Sequence, residues 1–186
     1  MGNKYIILIL LGGLISCTTT KDLYKQNEQD WHILGDANWT HINNEITGKS
    51  DDNTGFLVTS KNYTNFVLEL EFSPDSTINS GVFIRCNSDE ISPTNCYELN
   101  IWDLHPNQTY RTGAFVTKSK PLAYIETIGS WSKYKIQVRG SHLQTWINEI
   151  PMVDTYDDTL SSGTIALQAN GTGVVKFRHV TIKELN

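Results

Sequence analysis

The fold class this sequence predicts is an all-β, two-sheet antiparallel β-sandwich of jelly-roll type. Three observations carry it. Apolar residues recur with period two rather than 3.6, turn dipeptides separate the runs, and no long amphipathic helix follows Asp30. Phe66, Leu68, Leu70 and Phe72 alternate with Val67, Glu69 and Glu71; Tyr134, Ile136 and Val138 with Lys135, Gln137 and Arg139; Leu143, Thr145 and Ile147 with Gln144, Trp146 and Asn148. Gly140-Ser141 reads as a tight hairpin, and Asn170-Gly171-Thr172-Gly173 as a loop dividing Thr164–Gln168 from Val174–Lys183. Pro74-Asp75, Pro106-Asn107 and Asp157-Asp158 mark further loops, leaving about ten short strands.

The N-terminal stretch stands apart. Lys4 precedes an apolar run from Tyr5 to Leu14, and Ile15-Ser16-Cys17 follows. This is the pattern of a bacterial lipoprotein signal, cleaved before a lipidated Cys17. The apolar run is too short for a transmembrane helix, which needs about 20 residues. Residues 1–16 therefore read as signal peptide, 17–29 as lipidated cysteine and polar tether, and 30–186 as the β-sandwich domain. The expected location is the bacterial cell envelope, periplasmic or surface-exposed, with the membrane as a partner through the lipid anchor.

Composition narrows the function. Fifteen Lys and Arg stand against 20 Asp and Glu with no basic stripe, which argues against a nucleic-acid partner. Five Trp, eight Tyr and six Phe are plentiful; most are expected in the core, and in an exported protein exposed aromatic faces often stack on sugars. Setting Cys17 aside leaves Cys86 and Cys96, an even pair that predicts a disulfide stiffening the Asn87–Asn95 loop. No zinc, EF-hand, G-x-S-x-G, phosphate-loop or dinucleotide motif occurs, so no cofactor or metal site is expected.

Two strands gather polar side chains. In Asn79-Ser80-Gly81-Val82-Phe83-Ile84-Arg85, inward Val82 and Ile84 turn Arg85 outward. In Tyr97-Glu98-Leu99-Asn100-Ile101-Trp102-Asp103, inward Leu99 and Ile101 turn Glu98, Asn100 and Trp102 outward. Neighbouring strands would join Arg85 and Glu98 on one face, with Glu69 and Glu71 on the preceding strand. Asp103, His105 and Arg111 would rim the patch. The plain alternative is a surface ion pair worth about 0–1 kcal/mol.

Taken in order, these pieces resemble the 3-keto-disaccharide hydrolase family, a former domain of unknown function with a concanavalin A-like, laminin G-like fold. The matching stretches include Gly55–Thr59, Phe66–Phe72, Asn79–Arg85, Tyr97–Asp103, Arg111–Ala114, Trp131–Tyr134, Gly163–Gln168 and Phe177–Leu185. The resemblance implies glycan breakdown on a small oligosaccharide or glycoside already oxidised at C3. A carboxylate removes the acidified C2 proton, a cation stabilises the enolate, and the aglycone leaves. On that reading Glu98 is the base, Arg85 the enolate stabiliser, and Glu71 or Asp103 the second proton carrier. Asn79, Asn100, His105, Arg111 and Gln168 bind hydroxyls, and Trp102 stacks on a ring. The alternative is a non-catalytic, lectin-like carbohydrate-binding lipoprotein module, and loop-bound calcium stays open for such sandwiches. The chain departs from the family pattern at Asn100, where Gln is usual, and at Ser132, Asn148-Glu149 and His179.

Overall fold

The alternating pattern becomes eleven strands in the computed structural model, which describes residues 19–23 and 30–186. The signal peptide and Cys17 lie outside the described residues. In chain order the strands are β1 (Thr20–Asp22), β2 (Trp31–Gly35), β3 (Asn38–Ile42), β4 (Glu45–Thr59), β5 (Phe66–Pro74) and β6 (Ile78–Cys86). β7 (Tyr97–Ile101), β8 (Ser132–Arg139), β9 (His142–Ile147), β10 (Ile150–Tyr156) and β11 (Thr164–Glu184) complete the set. All pairings are antiparallel.

Two strands are long enough to serve both layers. Along one edge β11 pairs with β4 from residue 166 to 178; along the other it pairs first with β6 and then with β5. The first sheet is therefore β2, the end of β4, the start of β11, β6 and β7. The second is β3, the start of β4, the end of β11, β5, β8, β9 and β10. The Asn170–Gly173 stretch, expected as a loop, is instead the bend of one continuous strand. Gly171 and Gly173, at φ 77° and 136°, allow it to turn without breaking the ladder.

The inward half of the alternation fills the space between the sheets. Val82, Ile84, Leu99, Ile101 and Leu167 from the first sheet share one buried cluster with Leu68, Leu70, Ile136, Val138 and Phe177 from the second. Part of the presumed tether belongs to the domain: Thr20–Asp22 pairs with residues 181–183, and Leu23 is fully buried. Asn148 and Glu149 turn the β9–β10 hairpin with φ of 49° and 69°, so the non-glycine residues take the strained conformation that the departure at this turn implies.

Candidate functional site

The outer face of the first sheet is divided. One half is apolar: Phe83, Val58 and Ala166 pack with the Cys86–Cys96 disulfide, joined by Leu34, Phe56 and Ile91. The disulfide closes the predicted loop, whose ends also meet through Asn87 N–H donating to the Asn95 carbonyl. The other half is polar and is built by register. Gly81 lies between Asn100 of β7 and Gln168 of β11, and the next row places Phe83 between Glu98 and Ala166. Asn79 and Asn170 form the row beyond.

Glu98 stands at the boundary of these halves. It is 8% exposed, and burial alone pushes its carboxyl up to about 7. It leans over the bare backbone of Gly81: a β-carbon there would sit 3.7 Å from Glu98 Cγ. Two buried acceptors on the same face, Asn79 Oδ1 and Gln168 Oε1, have no protein partner. Glu98, Asn79 and Gln168 thus share one face of the sheet, with the bare backbone of Gly81 between them. At the end of β7, half-buried Trp102 packs edge-on against His105, with ring centres 4.5 Å apart, and His105 against Tyr110 at 5.7 Å. His105 Nδ1 accepts from Asn107 N–H.

Arg85 does not meet Glu98. A bulge in β6 inserts an extra residue between the partners of Thr164 and Ala166, and Arg85 takes φ 53°. Its guanidinium, 2% exposed, donates to the Thr64 carbonyl at 2.7 and 3.2 Å and to the Leu160 carbonyl at 2.8 Å. The strict alternation that turned it outward fails at that one residue. Glu71 is also elsewhere. β5 belongs to the second sheet, where Arg178 Nε donates to the Glu71 carboxylate at 2.7 Å and His179 Nδ1 lies 3.4 Å away.

Three more expected site residues are committed to the scaffold. Asp103, 3% exposed, accepts from Thr127 N–H at 2.5 Å, Thr127 Oγ1 at 2.9 Å and Ile128 N–H at 3.1 Å, so it pins a loop. Asn100 donates to the Tyr110 carbonyl and accepts from Ile101 N–H, tying the Gln108–Tyr110 turn to β7. Arg111 is buried, donating to Gln108 Oε1 and the Ile125 carbonyl under the Tyr124 ring.

Sequence reasoning missed the bare backbone of Gly81, and the contribution of Thr54, Phe56 and Asn170. A signal for Thr54 and Phe56 existed: Gly55–Thr59 alternates, and continuing that alternation through Thr54 places Thr54, Phe56 and Val58 on one face. Among the described residues no group of three or more His, Cys, Asp or Glu side chains is placed to hold a metal ion.

Comparison with known proteins agrees with this architecture. Two solved structures of candidate glycosyl hydrolases from Parabacteroides distasonis ATCC 8503 share the fold. The first has 21% identity and a TM-score of 0.76 over 90% of this chain and 100% of its own. The second has 18% identity and a TM-score of 0.77 over 90% and 94%. A carbohydrate-binding module, CBM66 from Bacillus subtilis, aligns at 16% identity and a TM-score of 0.67 over 83% and 96%. No curated protein matches the chain. A family model for the 3-keto-alpha-glucoside-1,2-lyase-like domain matches residues 20–183, nearly the whole folded domain. The chain belongs to the 3-keto-alpha-glucoside-1,2-lyase-like domain family.

Proposed function

We propose that this protein cleaves 3-keto-glycosides by elimination, with Glu98 as the single proton carrier. The observation that carries the reading is the buried Glu98 carboxyl, pushed up to about 7 by that burial, over the bare backbone of Gly81 with unpartnered amide acceptors on the same face. A general base works best when its pKa lies near the working pH.

Glu98 takes the C2 proton, and the C2–H electron pair passes into the C3 carbonyl as an enolate. Return of that pair forms the C1=C2 double bond and breaks the C1–O bond. The leaving alkoxide recovers the proton from Glu98, so one carboxyl suffices and neither Glu71 nor Asp103 is needed. Water adding across C1=C2 would complete a net hydrolysis. With Arg85 turned away, the amide N–H groups of Gln168 and Asn79 serve the enolate oxygen, and their carbonyl ends accept sugar hydroxyls. Trp102 and His105 supply the wall for a ring. A lipidated Cys17 would hold this chemistry at the cell envelope.

The test is aglycone release from a 3-keto glucoside against its unoxidised counterpart. Release from the keto form alone, reduced about 10²–10⁴-fold by Glu98→Gln, is expected. Undiminished release by that variant removes Glu98 from the mechanism. Tight binding of the unoxidised glycoside without release would favour the lectin-like reading, for which the two orphan acceptors are also suited.

A further inference from the structure

The outer face of the second sheet carries a cavity of about 550 Å³, on the opposite side of the sandwich from Glu98. Pockets that hold small organic ligands span about 300–1,000 Å³. Its chemistry comes from Glu69, Glu71, Glu149, Lys133, Lys135, Trp146 and His179. Register makes it a grid. Glu69 lies opposite Lys135, which lies opposite Trp146, and in the next row Arg178 lies opposite Glu71, which lies opposite Lys133. Neighbouring strands are about 4.8 Å apart, so carboxylates and ammoniums alternate across the face at about that spacing.

The grid is held rather than loose. Lys135 Nζ rests 5.1 Å from the centre of the Trp146 ring, and the Arg178 guanidinium lies 4.0 Å over Trp131. The ladder between β11 and β5 is broken by a bulge at residues 178–181, with His179 at φ 52°. That conformation is costly for a residue with a β-carbon, and it turns two successive side chains, Arg178 and His179, onto Glu71. Near-balanced charge selects neither an anion nor a cation. It suits a ligand whose groups donate to carboxylates and accept from ammoniums at once, beside an indole for an apolar ring face.

We propose that this groove is a second, non-catalytic binding site for a short uncharged oligosaccharide, with Trp146 as its platform. The proposal is independent of the reaction assigned to Glu98. It is tested by calorimetric titration of the whole protein with four neutral tetrasaccharides, built of glucose, xylose, mannose and galactose. At least one is expected to bind, with affinity falling at least tenfold in Trp146→Ala, less than threefold in Trp146→Phe and not at all in Glu98→Gln. Thermal melting of each variant separates lost binding from lost fold. Failure of all four sugars to bind overturns the groove, as does binding indifferent to Trp146→Ala in a folded variant. Binding lost only in Glu98→Gln assigns the sugar to the other face and also overturns it. Turnover by the wild type, measured separately, decides the elimination reading whatever this titration gives.

Discussion

Glu98 and Glu71 are the same residue type on the outer faces of opposite sheets, and their surroundings push them in opposite directions. Glu98 lies across the strand pair from Phe83, and its shift up to about 7 arises from burial alone. Burial also acts to raise Glu71, but hydrogen bonds from Arg178 and His179, with the charges of both, outweigh it and hold its carboxyl below the usual range. One group is ready to exchange a proton near neutrality; the other is held as an anion there. Sequence alternation treats them alike, and only the third dimension separates them.

The sharpest way to break this contrast is activity. Glu98→Gln should abolish most turnover, while Glu71→Gln leaves kcat within about threefold, because Glu71 lies on the other sheet and lends the substrate no proton. Wild-type kcat/KM should rise with pH through about 7 as Glu98 ionises. A flat profile from pH 5 to 8 would dissolve the distinction.

Stability gives the next largest effect, and the sign is set by Glu98's environment. Its folded pKa of about 7 exceeds the ordinary 4.5, so its contribution is fully present below about pH 4.5 and is lost as pH rises through about 7. At ~1.4 kcal/mol per pKa unit the loss is about 3 kcal/mol. Denaturant unfolding at pH 4 and pH 8 should therefore show Glu98→Gln gaining on the wild type by about that amount at the higher pH. An unchanged difference between the two pH values would mean that Glu98 is better solvated than its burial indicates.

Most of the architecture was legible because a core imposes period two on every strand that borders it. Phe66–Phe72, Tyr134–Val138 and Leu143–Ile147 read correctly for that reason. Glu98 was legible as an outward polar residue, whereas Asn79 and Gln168 entered through the family resemblance; the strands that carry all three proved to be neighbours. What escaped was non-periodic. The bulge at Arg85 adds one residue and reverses one side chain, and nothing in Val82-Phe83-Ile84-Arg85 announces it. Strand order is equally silent: β5 precedes β6 in sequence yet lies in the other sheet, which carried Glu71 away. Asp103, Asn100 and Arg111 resemble site residues because buried loop staples and catalytic groups draw on the same polar side chains.

Arg85 then offers a test of scaffold against site. Its three hydrogen bonds to the carbonyls of Thr64 and Leu160 are buried, so Arg85→Met should cost about 2–4 kcal/mol in denaturant unfolding. Turnover per folded molecule should stay within a few-fold. A large kcat loss with little change in stability would return this guanidinium to the chemistry, against its position.

The smallest effect closes the comparison, because its sign is opposite to that of Glu98. Glu71 has a lowered folded pKa, so its stabilisation is present above the ordinary carboxylate value and is lost as pH falls through the folded one. Arg178 is about a third exposed, so solvent screens the pair, and Glu71→Gln should cost only about 0.5–1 kcal/mol at pH 7, a cost that shrinks as pH falls through the folded pKa. Added salt should shrink the cost further, since mobile ions screen an exposed pair but not a desolvated carboxyl. Unfolding of wild type and variant at low and high ionic strength measures it. A cost of several kcal/mol, insensitive to salt, would show that the Arg178–Glu71–His179 cluster is as desolvated as Glu98, and the contrast between the two faces would then rest on partners rather than on water.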